Sequence, residues 1–134
     1  MATLVFDQEY RIARDTPSDI NEHIEVLKNL ADSVEHVTEM GTRTGVSTRA
    51  FLAADVTLRA YDLFLDGYVS QLFELAQKEG KDAKYIEANV LETEIDETDL
   101  LFIDTWHCYD QLFAELTKHA PKVKKYIAFH DTQT

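Results

Sequence analysis

Apolar residues along the chain recur in two rhythms, short runs of strand length and stripes at helical spacing, with glycines and acids marking the junctions. Ile20, Ile24, Leu27 and Ala31 line one face of a helix. Thr16 as its N-cap, Pro17 in its first turn and Asp19 at its positive end predict a start near Thr16 and an end near Asp32. Ahead of it, Phe6 to Ala13 is a short amphipathic stretch whose pattern selects neither helix nor strand. The β-prone run His36-Val37-Thr38 ends in Glu39 and passes through a turn bracketed by Gly41 and Gly45 into a helix over Ser47 to Ala54, with Val46, Ala50 and Phe51 inward. A second strand spans Val56 to Tyr61 and ends at Asp62. Ser70 to Glu79 is a helix with Leu72, Phe73, Leu75 and Ala76 inward, and Gly80 stops it. Lys84 to Val90 is a third strand. Leu91 to Asp99 reads as a polar acidic connection over the surface. Asp99 to Asp104 is apolar throughout its middle, as a parallel strand covered on both faces must be. A helix carrying Tyr109, Leu112, Phe113 and Leu116 inward then runs to about His119 and Pro121, before a last strand over Val123 to Phe129 that finishes in His130 and Asp131.

This alternation predicts an α/β doubly wound parallel sheet of about five strands with helices on both faces, in one domain over residues 1–134. The core occupies about 35–131, behind an N-terminal helix over about 16–32. Ligands of such sheets bind above the carboxyl ends of the strands, and Glu39, Asp62, Asp104 and Asp131 all stand at or next to such ends. A formal charge of −12 argues against a nucleic-acid partner, since phosphate binding calls for a basic face. Lys118, Lys122, Lys124 and Lys125 are the one basic cluster, and as a group they read as a solvated helix end. The single Cys108 excludes an internal disulfide and suits a reducing compartment. No run is long and apolar enough for a signal peptide or a membrane span, so the expectation is a cytoplasmic protein without membrane partners.

The junction Glu39-Met40-Gly41-Thr42-Arg43-Thr44-Gly45 puts backbone N–H groups at close range to a ligand, because glycine carries no side chain to block the approach. The same glycine pair also serves an ordinary strand-to-helix turn. An acid at the strand end disfavours a pyrophosphate and tolerates a cation, and the chain lacks the G-x-G-x-x-G run of dinucleotide sites. These seven residues resemble the first motif of Rossmann-like methyltransferases that use S-adenosylmethionine, E/D-x-G-x-G-x-G. Arg43 stands where the middle glycine belongs, a departure shared by the branch that is similar to catechol O-methyltransferase.

The resemblance implies a sheet order 3-2-1-4-5 and S-adenosylmethionine as cofactor. It implies binding residues Glu39, Gly41, Thr42, Arg43, Thr44, Gly45 and Ser47 around the loop. Asp62, with Leu63, stands about twenty residues further on, where such folds place the ribose carboxylate. Asn89, with Val90, takes the position that reads the adenine edge. The segment Leu101 to His107 resembles the corresponding strand end of the catechol O-methyltransferase group, which implies a metal or methionine role for Asp104, an adenine-facing Trp106 and His107 in place of the base. A histidine there also serves as a simple cap. In that group the fifth strand ends in two metal ligands, so Asp104, His130 and Asp131 are the implied donors for a divalent ion. A carboxylate and imidazole set suits manganese, iron or zinc better than magnesium. The helix ahead of the first strand covers the methionine end in such enzymes, which implies proximity for Ser18, Asn21 and His23, residues equally at home as caps and surface groups.

The implied function is methyl transfer to an oxygen or nitrogen of a small molecule, with a non-catalytic S-adenosylmethionine-binding module acting in assembly or regulation as the alternative. Family members add two strands after the fifth. Without them Val123 to Phe129 would be an open edge, unless the chain is incomplete, and open edges invite pairing. Self-association is therefore expected. Sedimentation at micromolar concentration should show species heavier than one chain, and a monodisperse monomer would contradict this.

Overall fold

Five short runs rich in Val, Leu, Phe and Ile pair side by side in one direction, and the segments between them, helical except between the third and fourth runs, return the chain to the starting edge. The computed structural model describes residues 4–18, 20–105 and 109–130. Its elements are α1 (Leu4–Asp15), a 3-10 turn over Asn21–His23, α2 (Ile24–Asp32), β1 (His36–Met40), α3 (Val46–Ala53), β2 (Thr57–Asp62), α4 (Gly67–Lys78) and β3 (Ala83–Glu87). After them come β4 (Thr98–Ile103), α5 (Tyr109–His119), a 3-10 turn over Ala120–Lys122 and β5 (Val123–Phe129). All neighbouring strands are parallel, in the order β3-β2-β1-β4-β5. The order reverses between β1 and β4, so their carboxyl ends flank the crevice where such sheets bind ligands.

Strand alternation divides the core in two. Val37, Leu58, Ala60, Ala83, Leu100 and Phe102 join one cluster with apolar residues of α1, α2, α3 and α4. Met40, Tyr61, Leu101 and Ile103 join the other, against Leu112 and Leu116 of α5 and Val90 and Ile95 of the connection after β3. Four helices thus cover one face, and α5 with that connection covers the second. The connection expected to coat the surface does so while burying Ile95. Its Glu94 receives Lys118 at 2.7 Å and Lys122 at 3.8 Å, so two members of the basic cluster hold the connection down.

One open stretch is resolved and two expectations are corrected. Phe6 to Ala13, which the pattern left open, lies within the helix α1 and completely buries Phe6. The helix predicted from Thr16 begins only at Ile24. The Thr16 N–H donates to Ile12 O at 3.0 Å and closes the last turn of α1, and Pro17, lacking an N–H, ends that helix instead of opening the next. Beyond it Asn21 Oδ1 accepts from Ser18 N–H at 3.1 Å and Ser18 Oγ accepts from Ile20 N–H at 3.3 Å, local bonds that compete with helical ones. Asp19 lies outside the described residues. Phe113 faces outward, 60% exposed, while Glu115 of α5 is completely buried. The inward stripe of α5 runs through Leu112, Glu115, Leu116 and His119, and His119 Nε2 meets Val90 O at 2.6 Å.

Among the described residues β5 is the last strand of the sheet, and its Tyr126, Ile127 and Phe129 are exposed. No helix among the described residues is long and apolar enough to cross a membrane. Because Phe6 of α1 fills the core over α3, Phe6→Ala should lower the unfolding free energy by about 3–5 kcal/mol in urea titrations. A loss below about 1 kcal/mol would mean that α1 is an appendage.

Candidate ligand site

β1 leaves the sheet at Gly41, whose N–H donates to Tyr61 O at 2.8 Å and whose φ is 87°. A Cβ there would stand 2.3 Å from the carbonyl oxygen of Asp104, so only glycine lets the exit of β1 run against the backbone leaving β4. Asp104 N–H donates to Met40 O at 2.7 Å and continues the pairing to that point. The loop then turns through a bond from Gly45 N–H to Thr42 O at 2.8 Å, and Gly45, φ 88°, is the N-cap of α3.

Arg43 has φ 50°, a left-handed conformation that costs a residue with a Cβ about 1–2 kcal/mol. The position is that of the motif's middle glycine, which explains the residue usual there. Asp62 at the end of β2 holds it. Asp62 Oδ2 accepts from Thr42 N–H at 3.0 Å, Arg43 N–H at 2.9 Å and Thr42 Oγ1 at 3.1 Å, and Oδ1 accepts from Leu63 N–H at 2.7 Å. Because the Thr42 hydroxyl proton goes to Asp62, the Tyr85 hydroxyl donates to Thr42 Oγ1 at 2.9 Å and accepts Asp66 N–H at 3.0 Å. Asp66 is also the N-cap of α4, with its side chain accepting from Val69 N–H at 3.1 Å. One carboxylate and one phenol therefore join the loop, β2, β3 and the start of α4.

Glu39 does not face the ligand space. It is completely buried beneath the loop, where the hydroxyls of Ser47 and Thr48 meet its two carboxyl oxygens. Burial pushes its pKa up to about 8, against the pull of those hydroxyls. Enclosed in this way, Glu39 presents no charge to the hollow, so the expectation that its carboxylate meets a cation there is corrected. Ser47, 3% exposed, is engaged with Glu39 in the same way.

Above the loop lies an open hollow of about 400 Å³. Of the residues the sequence singled out, Gly41, Arg43, Asp62, Leu63, Asn89, Val90 and Asp104 line it. Thr42, Thr44 and Ser47 line only a small adjoining cleft, shared with Arg43, Asp104 and Ile20. Gly45 lies behind, packed so that a Cβ would come within 2.8 Å of the Val69 side chain. Asp104, 5% exposed, has Arg43 Nη2 and His130 Nδ1 each 3.5 Å from its Oδ1, and the His130 ring lies 5.9 Å from that of His23. Ser18 and Asn21 act as turn-stabilising residues. Trp106, His107 and Asp131 lie outside the described residues. Asp104 and His130 supply two neighbouring donors, and among the described residues no group of three or more His, Cys, Asp or Glu side chains could hold a metal ion. Residues missed in the sequence are Tyr61, Ala88, Thr105 and Gln111, which line the hollow, and Glu115 behind them. Nothing in their spacing distinguished them from core and surface positions.

The fold matches solved methyltransferases. One is the 1,6-didemethyltoxoflavin-N1-methyltransferase of Burkholderia thailandensis, solved with S-adenosylhomocysteine, at 18% identity and TM-score 0.63 over 90% of this chain and 55% of that one. A caffeoyl-CoA O-methyltransferase candidate from Staphylococcus aureus has 20% identity and TM-score 0.62, over 92% of this chain and 63% of that one. The N-methyltransferase NodS of Bradyrhizobium japonicum, also with S-adenosylhomocysteine, has 14% identity and TM-score 0.66, over 93% of this chain and 70% of that one. The chain thus spans less than two thirds of the first two structures, and the likeness is one of fold. No protein-family model matches the chain, and neither does any curated protein.

Glu39 gives the site a pH signature. Its pKa lies near 4.5 in the unfolded chain and at about 8 in the folded one, so the folded state holds the extra proton between these values. Its contribution to stability is full below the lower value and is lost as pH rises through the upper one. Urea unfolding should show stability falling by up to about 1.4 kcal/mol per pH unit from this group across that window, and Glu39→Gln should remove that component. An identical pH slope in Glu39→Gln would contradict this.

Proposed function

We propose that the chain is the S-adenosylmethionine-binding core of a methyltransferase that moves a methyl group to an oxygen or nitrogen of a small molecule. The observation that carries the reading is the hollow at the switch point of the sheet, where Gly41 presses β1 onto β4 and two carboxylates, Asp62 and Asp104, face one space. The neighbours of like fold that act at nitrogen, and the two solved with S-adenosylhomocysteine, support it. A volume of about 400 Å³ falls within the usual range for small-molecule sites.

S-adenosylmethionine supplies a methyl group on a cationic sulfur that needs no further activation. This chain's part is to hold, orient and select. Asp62 Oδ1 carries one described hydrogen bond, from Leu63, and a carboxylate oxygen has room for a second donor, so it is the residue to accept from a ribose hydroxyl. Leu63, Val90 and Ala88 give the hollow apolar surface suited to a purine face. Gly41 permits close approach of ligand atoms to the backbone between β1 and β4. Asp104 takes the role that the sequence reading gave to Glu39, because it is the carboxylate on the β4 side of the hollow, where a positive sulfur would be favoured. Arg43, 3.5 Å away, tempers that charge. His107 is the proposed proton acceptor for the nucleophile.

Calorimetric titration with S-adenosylhomocysteine should give one site per chain with a Kd on the order of 1–100 µM, weakened at least about tenfold in Asp62→Ala. Asp104→Asn should weaken S-adenosylmethionine more than S-adenosylhomocysteine, because only the former carries charge on sulfur. Absence of heat with both ligands would end the reading.

A further inference from the structure

We infer that Glu9 of α1 is a positioning residue for the loop after β1, acting through Arg49 and Tyr68, so that docking of α1 and occupation of the hollow strengthen each other. The inference rests on the adenosyl-binding reading of the hollow and goes beyond it to a residue that does not line it. Glu9 takes partners from two other helices. Its Oε1 accepts from the hydroxyl of Tyr68, in the first turn of α4, and lies 3.6 Å from Nη1 of Arg49 on α3. The Arg49 guanidinium also lies over the Tyr68 ring, 5.4 Å from its centre, so the three side chains form one cluster. Burial and the bond to Glu9 push the Tyr68 hydroxyl up to about 12, which keeps its proton in place to donate. The side chains of Arg49 and Glu9 are only 15% and 25% exposed, so water screens their attraction less than that of a surface pair.

Two routes run from this cluster to the loop. As N-cap of α3, Gly45 has no side chain to fix the start of the helix, and Arg49 Nε reaches back to donate to Gly45 O at 3.3 Å. Gly45 N–H in turn donates to Thr42 O at 2.8 Å. On the other route Tyr68 stands two residues past Asp66, whose N–H donates to the Tyr85 hydroxyl at 3.0 Å, and that hydroxyl donates to Thr42 Oγ1 at 2.9 Å. Both routes meet at Thr42. Its N–H and its hydroxyl both go to Asp62 Oδ2, on the carboxylate that lines the hollow. The element with two states is α1, since a terminal helix opens locally at less cost than the whole domain unfolds. Docked, it restrains Arg49 and Tyr68 through Glu9; undocked, it releases both. Coupling between two binding events is reciprocal, so a ligand that favours the ordered loop favours the docked helix by the same factor.

The test is hydrogen exchange by mass spectrometry on peptides of α1 and of the loop after β1, in the full chain and in Glu9→Ala and Tyr68→Phe. Each is measured with and without S-adenosylhomocysteine, whose affinity is taken in parallel by calorimetry. Without ligand, the loop of both variants should exchange about threefold faster than that of the wild type or more. Ligand should slow exchange in the wild-type α1, and Glu9→Ala should lose most of that gain together with about three- to tenfold in affinity. Glu9→Gln keeps an acceptor for the Tyr68 hydroxyl and should recover part of the loss. A Glu9 that merely holds α1 in place would speed exchange in α1 alone, with loop exchange and affinity at wild-type values, and that result overturns the inference. Should Glu9→Ala fail to fold by circular dichroism, Tyr68→Phe, at a site 42% exposed, decides alone. A wild-type chain that binds no S-adenosylhomocysteine overturns the parent reading and the coupling to ligand, whereas loop exchange in the free chain still decides whether Glu9 positions the loop.

Discussion

The carboxylate of Asp62 is the contact on which the site depends. It stands at the end of β2 and gathers the N–H groups of Thr42 and Arg43, so the loop after β1 is fixed to a neighbouring strand instead of resting on its own turn alone. Hydrogen bonds to a charged acceptor are stronger than neutral ones, and here they hold Arg43 in a left-handed conformation that its side chain disfavours. Local strain in the loop is thereby offset by a bond that only the completed sheet can make. Tyr85 carries the linkage on to β3 and to the start of α4.

Beneath the loop Glu39 works in the opposite sense. Its acid is removed from water and tied to the first turn of α3 through Ser47 and Thr48, and burial pushes its pKa up. The two acids that the motif places about twenty residues apart thus differ in task. One is a buried polar joint between β1 and α3, and the other lines the open hollow. Asp104, across the switch point, is the second carboxylate lining the hollow, with Arg43 3.5 Å from it.

Much of this was legible in the sequence, for identifiable reasons. Strand ends were marked by acids after apolar runs, and the order of the sheet followed from strand and helix alternation and the resemblance of one loop. The positions of Gly41, Asp62, Asn89 and Asp104 around a common space followed too. The direction of Glu39 did not, because it depends on Ser47 and Thr48 folding back from the next helix, eight and nine residues on. Pro17 suited the first turn of a helix, yet a proline can equally end one, and the deciding bond, from Thr16 to Ile12, belongs to a stretch whose pattern selected no element. On α5 hydrophobicity pointed to Phe113, whereas the fold turns Glu115 inward because the Thr105 hydroxyl and the Gln111 amide meet it there. Buried polar partners are set by tertiary placement, which spacing along the chain does not encode.

The most direct measurement is a crystal structure of the chain with S-adenosylhomocysteine. The account predicts the nucleoside in the hollow between the ends of β2 and β4, a ribose hydroxyl within hydrogen-bonding distance of Asp62 Oδ1, and Glu39 still enclosed beneath the loop. A ligand seated elsewhere, or a Glu39 side chain swung out to touch it, would contradict the account.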